Sequence, residues 1–290
     1  MLPRFPRIVF SVNKYVNLFY HLCVLFLEYF PDEIIGFLNN STYIQEHKKL
    51  RTERLHELFQ ALQKHSYYTW DFMGLPLSQV DDIGSVKNTL LDTSQKVTQT
   101  WHEIYQEALS SYDDIWAQTE PKLKKYASEF KAQWDPISEL VLTTMSSMTR
   151  RFWNEECINV NFVDCVRGGS AWIKDVVLVP YPDMDVEKKL FAHELAHTLI
   201  PEYCLREKLQ EAGLDWSIAH TVVDLIAYFS VKEHVSEPNR RGIRPNSSYY
   251  VRVEELYPVF EECFMHPESY EDFGGILMRI RLPNDRKHTS

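Results

Sequence analysis

His193-Glu194-Leu195-Ala196-His197 is the stretch that decides how this chain is read. Residues four apart on a helix share a face, one turn apart. The pentapeptide therefore sets two imidazoles side by side with a carboxylate next to them. Neutral imidazoles are ordinary ligands for a divalent metal, and a neighbouring carboxylate suits a base that takes a proton from water. The flanks predict the helix itself. Asp183 or Asp185 can cap it just after Pro182, Asp185 and Glu187 make its first turn acidic, and Pro201 stops it. Val186, Leu190, His193, His197 and Ile200 follow one stripe, apolar at both ends and polar only at the two histidines.

One helix face supplies two ligands, whereas a catalytic zinc site holds three and leaves a position for water. Residues 217–229 read as a second buried helix, with Ile218, Val222, Leu225, Ile226 and Phe229 as its apolar stripe. His220 and Asp224 share a face of it, and Tyr228 lies one turn further on. Residue 220 is 23 positions beyond residue 197, and residue 224 is 27 beyond it. Glu202, Glu207 and Glu211 follow the motif too closely to reach back, and Glu233 is a further candidate.

These residues resemble the zincins, and within them the gluzincins. There the H-E-x-x-H motif is followed about 20 to 25 residues later by a helix carrying a ligand Glu. In several gluzincins an Asp four residues beyond that Glu hydrogen-bonds a ligand His. Here His220 stands where the Glu would be and Asp224 where the Asp would be. The resemblance spans roughly residues 158–235. It implies Zn²⁺ held by His193, His197 and His220, with Asp224 the alternative third ligand, and Glu194 as general base. It implies a metallopeptidase acting on a peptide or protein, with Tyr249, Tyr250 or His266 stabilising the oxyanion. Arg244 is either a contact for a substrate carboxylate or a solvated loop residue. The metzincin pattern is absent, because Thr198-Leu199-Ile200-Pro201-Glu202 offers neither its Gly nor its third His. Two other classes stay open: a non-catalytic metal-binding regulatory protein on the same scaffold, and a hydrolase of non-peptide amides or esters.

Ahead of the motif, residues 158–164 alternate as a half-buried strand does, Arg167-Gly168-Gly169-Ser170 signals a turn, and residues 175–182 read as an apolar strand ending in prolines. The pair is expected as a hairpin serving the core, or as the edge of a cleft to which an extended peptide adds. Residues 41–150 read as helix, with stripes at Leu55, Leu58, Phe59 and Leu62, at Trp101 to Trp116, and at Leu123 to Trp134; Pro121 and Pro136 mark expected helix starts. The expected fold is α+β and predominantly helical. It comprises a helical region over 1–150 and a zincin-like catalytic region with a small sheet over 151–290.

A net charge of −10 argues against nucleic acid as partner, since phosphates need Lys and Arg to neutralise them. Five cysteines without a C-x-x-C suggest reduced thiols and a cytoplasmic protein. Phe19 to Phe30 is rich in Leu, Phe and Val, yet Asn17, His21 and Glu28 interrupt the region and no run of 18 apolar residues exists. No small-residue cleavage pattern follows Arg4 and Arg7, so a buried helix is expected there. Oligomeric state is not legible.

Overall fold

The computed structural model describes residues 5–29, 40–63, 95–166, 169–172, 175–236 and 253–280. The fold is α+β and mainly helical. It forms two compact units that are interleaved along the chain. One contains residues 8–132 and 157–182; the other contains residues 1–7, 133–156 and 183–290. The strands that precede the motif belong with the helices of the first half, because their apolar face packs there. Phe162 of the second strand meets Phe10, Tyr126 and Phe130 at ring-centroid distances of 6.2, 5.4 and 5.8 Å.

In the first unit, strand β1 (Arg7–Ser11) runs into α1 (Lys14–Leu25). Asn13 caps α1 by accepting from the amides of Tyr15 and Val16. Every residue from Tyr15 to Leu25 is buried, as expected of a helix apolar nearly all round. Among the described residues, no helix is long and apolar enough to cross a membrane. Helices α2 (Ser41–His47) and α3 (Glu53–Gln63) follow, and α3 buries the expected Leu55, Leu58, Phe59 and Leu62.

Next comes α4 (Gln95–Thr149), 55 residues long, whose residues from 133 on belong to the second unit. The sequence suggests helix starts at Pro121 and Pro136, but the helix runs through both. Two features explain this. Trp101, Tyr112, Leu123, Trp134 and Met145 recur at intervals of eleven, and all are buried. An eleven-residue repeat, about 3.67 residues per turn, follows a nearly straight helix more closely than a seven-residue one. One buried stripe can therefore persist along the whole length. Both prolines fall on the exposed side, as do Ala117 and Ala132, whose carbonyls lose their i+4 partners. Water can meet those carbonyls there. Pro121→Ala and Pro136→Ala should each stabilise the protein by about 2 kcal/mol, the helix-interior proline penalty less the unfolded-state entropy regained. Urea denaturation checks this, and an unchanged midpoint for both would mean that the helix is broken at those points.

The sheet has the order β1-β2-β4-β3, with β2 (Cys157–Phe162), β3 (Gly169–Trp172) and β4 (Asp175–Leu178). β2 and β4 pair in parallel, from Asn159↔Asp175 to Phe162↔Leu178. The expected hairpin of these two strands is therefore not formed. The stretch expected to turn between them becomes β3 instead, antiparallel to β4 from Gly169↔Leu178 to Trp172↔Asp175. With β3 outside it, β4 is an interior strand, so the strand nearest the motif helix is not the sheet's edge. The parallel pairing has a physical cause: Val176, Val177 and Leu178 are all buried, and a strand buried on both faces belongs inside a sheet.

In the second unit, α5 (Met184–Leu199) is followed by α6 (Glu202–Glu211), α7 (Ala219–Val231), α8 (Val253–Met265) and α9 (Phe273–Met278). α7 is the central helix, packing most extensively against α5 and then against α8. Phe191 of α5 meets Trp134 at 4.5 Å, and Phe229 of α7 meets Tyr257 and Phe264 at 5.2 and 5.4 Å. A polar clamp joins the start of α5 to the segment that follows α7. Asp185 accepts from the Ser236 amide at 2.8 Å and from Lys188 Nζ at 3.0 Å, and its carboxyl is held down at about 2, chiefly by the Ser236 hydroxyl.

Candidate metal centre

The motif helix forms as its flanks predict. Asp183 is the N-cap, accepting from the Asp185 amide at 2.9 Å, and the helix ends at Leu199 before Pro201. Its faces divide differently from the sequence reading. The core side carries Phe191, Ala192, Leu195, Ala196 and Leu199, all buried. Much of the expected stripe is the more open side: Val186 is exposed, Leu190, His193 and His197 are half-buried, and only Ile200 at its end is buried. The histidines therefore sit on a face with access, and the helix is held by the other one.

On α7 the pattern is complementary. Asp215 accepts from the Ser217 amide at 2.8 Å and caps the short 3₁₀ turn that leads into α7. Between Ala219 and Val231, every residue is buried except His220, Asp224 and Tyr228. These three lie at i, i+4 and i+8, one half-buried stripe on the helix that packs on α5.

The two stripes bring His193, His197 and His220 together, with one ligand nitrogen from each within 4.8 Å of the others. The ring centroids of His193 and His197 lie 4.7 Å apart, and His220 is 5.9 and 5.5 Å from them. Among the described residues, this is the one group of three or more His, Cys, Asp or Glu so arranged. Asp224 takes the orienting position: its Oδ1 lies 2.5 Å from Nδ1 of His193. Nδ1 of His193 donates to Asp224, and its Nε2, which a metal would claim by displacing the second ring proton, is 3.1 Å from Nε2 of His197. Two nitrogens sharing one zinc at about 2.0–2.1 Å with tetrahedral angles lie about 3.3 Å apart. The His193–His197 spacing and the all-imidazole donor set fit a zinc ion.

The electrostatics follow from burial and from Asp224. Burial disfavours the His193 cation, but the Asp224 carboxylate, its hydrogen bond and Glu194 outweigh it and raise the group to about 9. Burial, then the His193 and His220 charges, push His197 well below the usual imidazole range. Burial also lowers His220, with the His193 charge adding to it and Asp224 and Glu202 opposing. Glu194 is 4% exposed, and burial raises it to about 7 against the pull of His193.

The remaining candidates are dispersed. Tyr249, Tyr250 and Arg244 lie outside the described residues. His266 is exposed and 3.6 Å from Glu268. Glu233 is exposed and outside the cluster, and Glu202, Glu207 and Glu211 lie along α6. The clamp of Asp185, Lys188 and Ser236 gave no signal in the sequence, because its members are ordinary surface-type residues that only folding joins. All five cysteines are free thiols. Comparison of the chain with protein-family models, curated proteins and solved structures gives no match.

Proposed function

We propose that the protein is a zinc-dependent metallopeptidase of gluzincin-like fold, working in the cytoplasm. The convergence of three imidazoles from two packed helices, with a buried carboxylate beside them, carries this reading. His193, His197 and His220 would hold the zinc ion, which when bound supplies Lewis acidity that acidifies water and polarises a carbonyl. Glu194 accepts the proton from the attacking water and returns it to the leaving amine. Its burial favours this role, because a carboxylate withdrawn from solvent is a stronger base. Asp224 acts through His193, fixing the ring and its tautomer by the hydrogen bond to Nδ1. The departure from the usual downstream Glu keeps the donor set neutral, so the carboxylates at the site are left for proton transfer and orientation.

Purified protein should carry about one zinc per chain and cleave members of a peptide library. Elemental analysis and a library digest check both. Absence of a stoichiometric metal would sink the site. Metal without any peptide turnover would replace the enzyme by a metal-binding regulatory protein or by a hydrolase of other amides or esters.

A further inference from the structure

The polar clamp on α5 lies at the far end of the same helix pair that gathers the triad. Asp185 and Lys188 stand in the first turns of α5, and Ser236 stands just beyond the 3₁₀ turn Lys232–His234 that follows α7. Asp185 accepts from the Ser236 amide at 2.8 Å, from the Ser236 hydroxyl, and from Lys188 Nζ at 3.0 Å. Lys188 Nζ reaches on to the His234 carbonyl at 3.5 Å. Eight residues further along α5, His193 meets Asp224 at 2.5 Å. Position 185 is thus beside 236 and position 193 beside 224. The two helices run antiparallel and are tied at two levels, about 12 Å apart along α5.

Between these levels the helices bury mainly apolar side chains, among them Phe191 and Ala192 on α5 and Leu225, Ile226, Ala227 and Phe229 on α7. Apolar burial is non-directional. A hydrogen bond needs its partners at about 2.7–3.2 Å and nearly in line. Ties of the second kind fix which residue of one helix stands beside which residue of the other.

A site shared by two helices depends on that register, because its donor atoms must hold within about 0.5 Å of their places. His193 and His197 share α5 and keep their spacing whatever α7 does. His220 rides on α7, and a slip or tilt of α7 along α5 carries it away from the other two. The bond from His193 to Asp224 is a single tie, about which the helices can still pivot. The clamp is a second tie at a distance from it, and it contributes no donor atom to the triad.

We propose that Asp185 and Ser236 are positioning residues of the metal centre: their clamp fixes the register of α7 against α5 and so holds His220 where one ion can meet all three imidazoles. This rests on the reading of the triad as a zinc site and is independent of whether peptides are cleaved there.

Asp185→Ala removes the clamp. Asp183→Ala removes the N-cap of the same helix and leaves the clamp's side chains in place, so it controls for a loosened helix start. Competition with a fluorescent chelator on the full chain should show about 10-fold weaker zinc binding for Asp185→Ala, the low end of the range for groups that orient a ligand. Asp183→Ala should bind zinc as wild type does, whatever its melting temperature. Ser236→Ala removes the hydroxyl alone; it should shift the affinity the same way by less, and it serves if Asp185→Ala does not fold. Unchanged zinc affinity in the folded clamp variants would overturn the proposal, and so would an equal loss in Asp183→Ala. A second readout needs no metal. In the zinc-free protein, nuclear magnetic resonance follows the His193 Nδ1 proton bonded to Asp224, and its exchange with solvent should quicken in the clamp variants and not in Asp183→Ala. A wild type without zinc affinity would sink the triad as a metal site, whereas unchanged proton exchange in the clamp variants would sink the clamp's control of the register.

Discussion

Replacing Glu194 by Gln should lower peptide hydrolysis by ~10²–10⁴-fold while leaving zinc content unchanged. The substitution keeps the side chain's length and the helix that carries it, and removes only the capacity to take a proton. Glu194 is buried beside the triad and contributes no atom to it, so the ligand set is preserved. Burial is what makes the expected effect large. A carboxylate raised to about 7 accepts a proton near neutrality, where an ordinary solvated carboxylate is a weaker base. Steady-state turnover paired with metal analysis gives the result. Near-normal hydrolysis by Glu194→Gln would refute the assignment of the base.

The second large effect is expected at His220. His220→Ala should weaken zinc binding by more than ~100-fold, whereas Asp224→Asn should cost only ~10–100-fold, the usual penalty for disturbing a group that orients a ligand. The order follows from their places on α7. The His220 nitrogen lies with those of His193 and His197, and Asp224 Oδ1 is engaged by His193 Nδ1 at 2.5 Å. Competition with a fluorescent zinc chelator measures both variants. A greater loss for Asp224→Asn than for His220→Ala would reverse their roles and make Asp224 the third ligand.

The local elements around the site were legible because local signals define them. Asp183 caps and Pro201 stops the motif helix, and the four-residue spacing aligns His193 with His197, and His220 with Asp224. Other readings failed where local rules compete with packing. Pro121 and Pro136 normally start or break helices, but on the exposed side of an eleven-residue stripe neither does so. The strands before the motif look like a hairpin, yet β2 and β4 pair in parallel because β3 returns on the far side of β4. The stripe of Val186, Leu190, His193, His197 and Ile200 is exposed at its first residue, half-buried through the two histidines and buried at its last. Periodicity finds a face without saying whether it meets a core or a cleft.

Sequence by itself determined the motif helix with its acidic start and its stop at Pro201, and which residues of it and of α7 share a face, since these depend on residues within a few positions of one another. Tertiary structure alone decided that His220 joins the motif histidines and that Asp224 holds His193. Those contacts span 23 to 31 residues, and only the packing of α7 against α5 sets their distance.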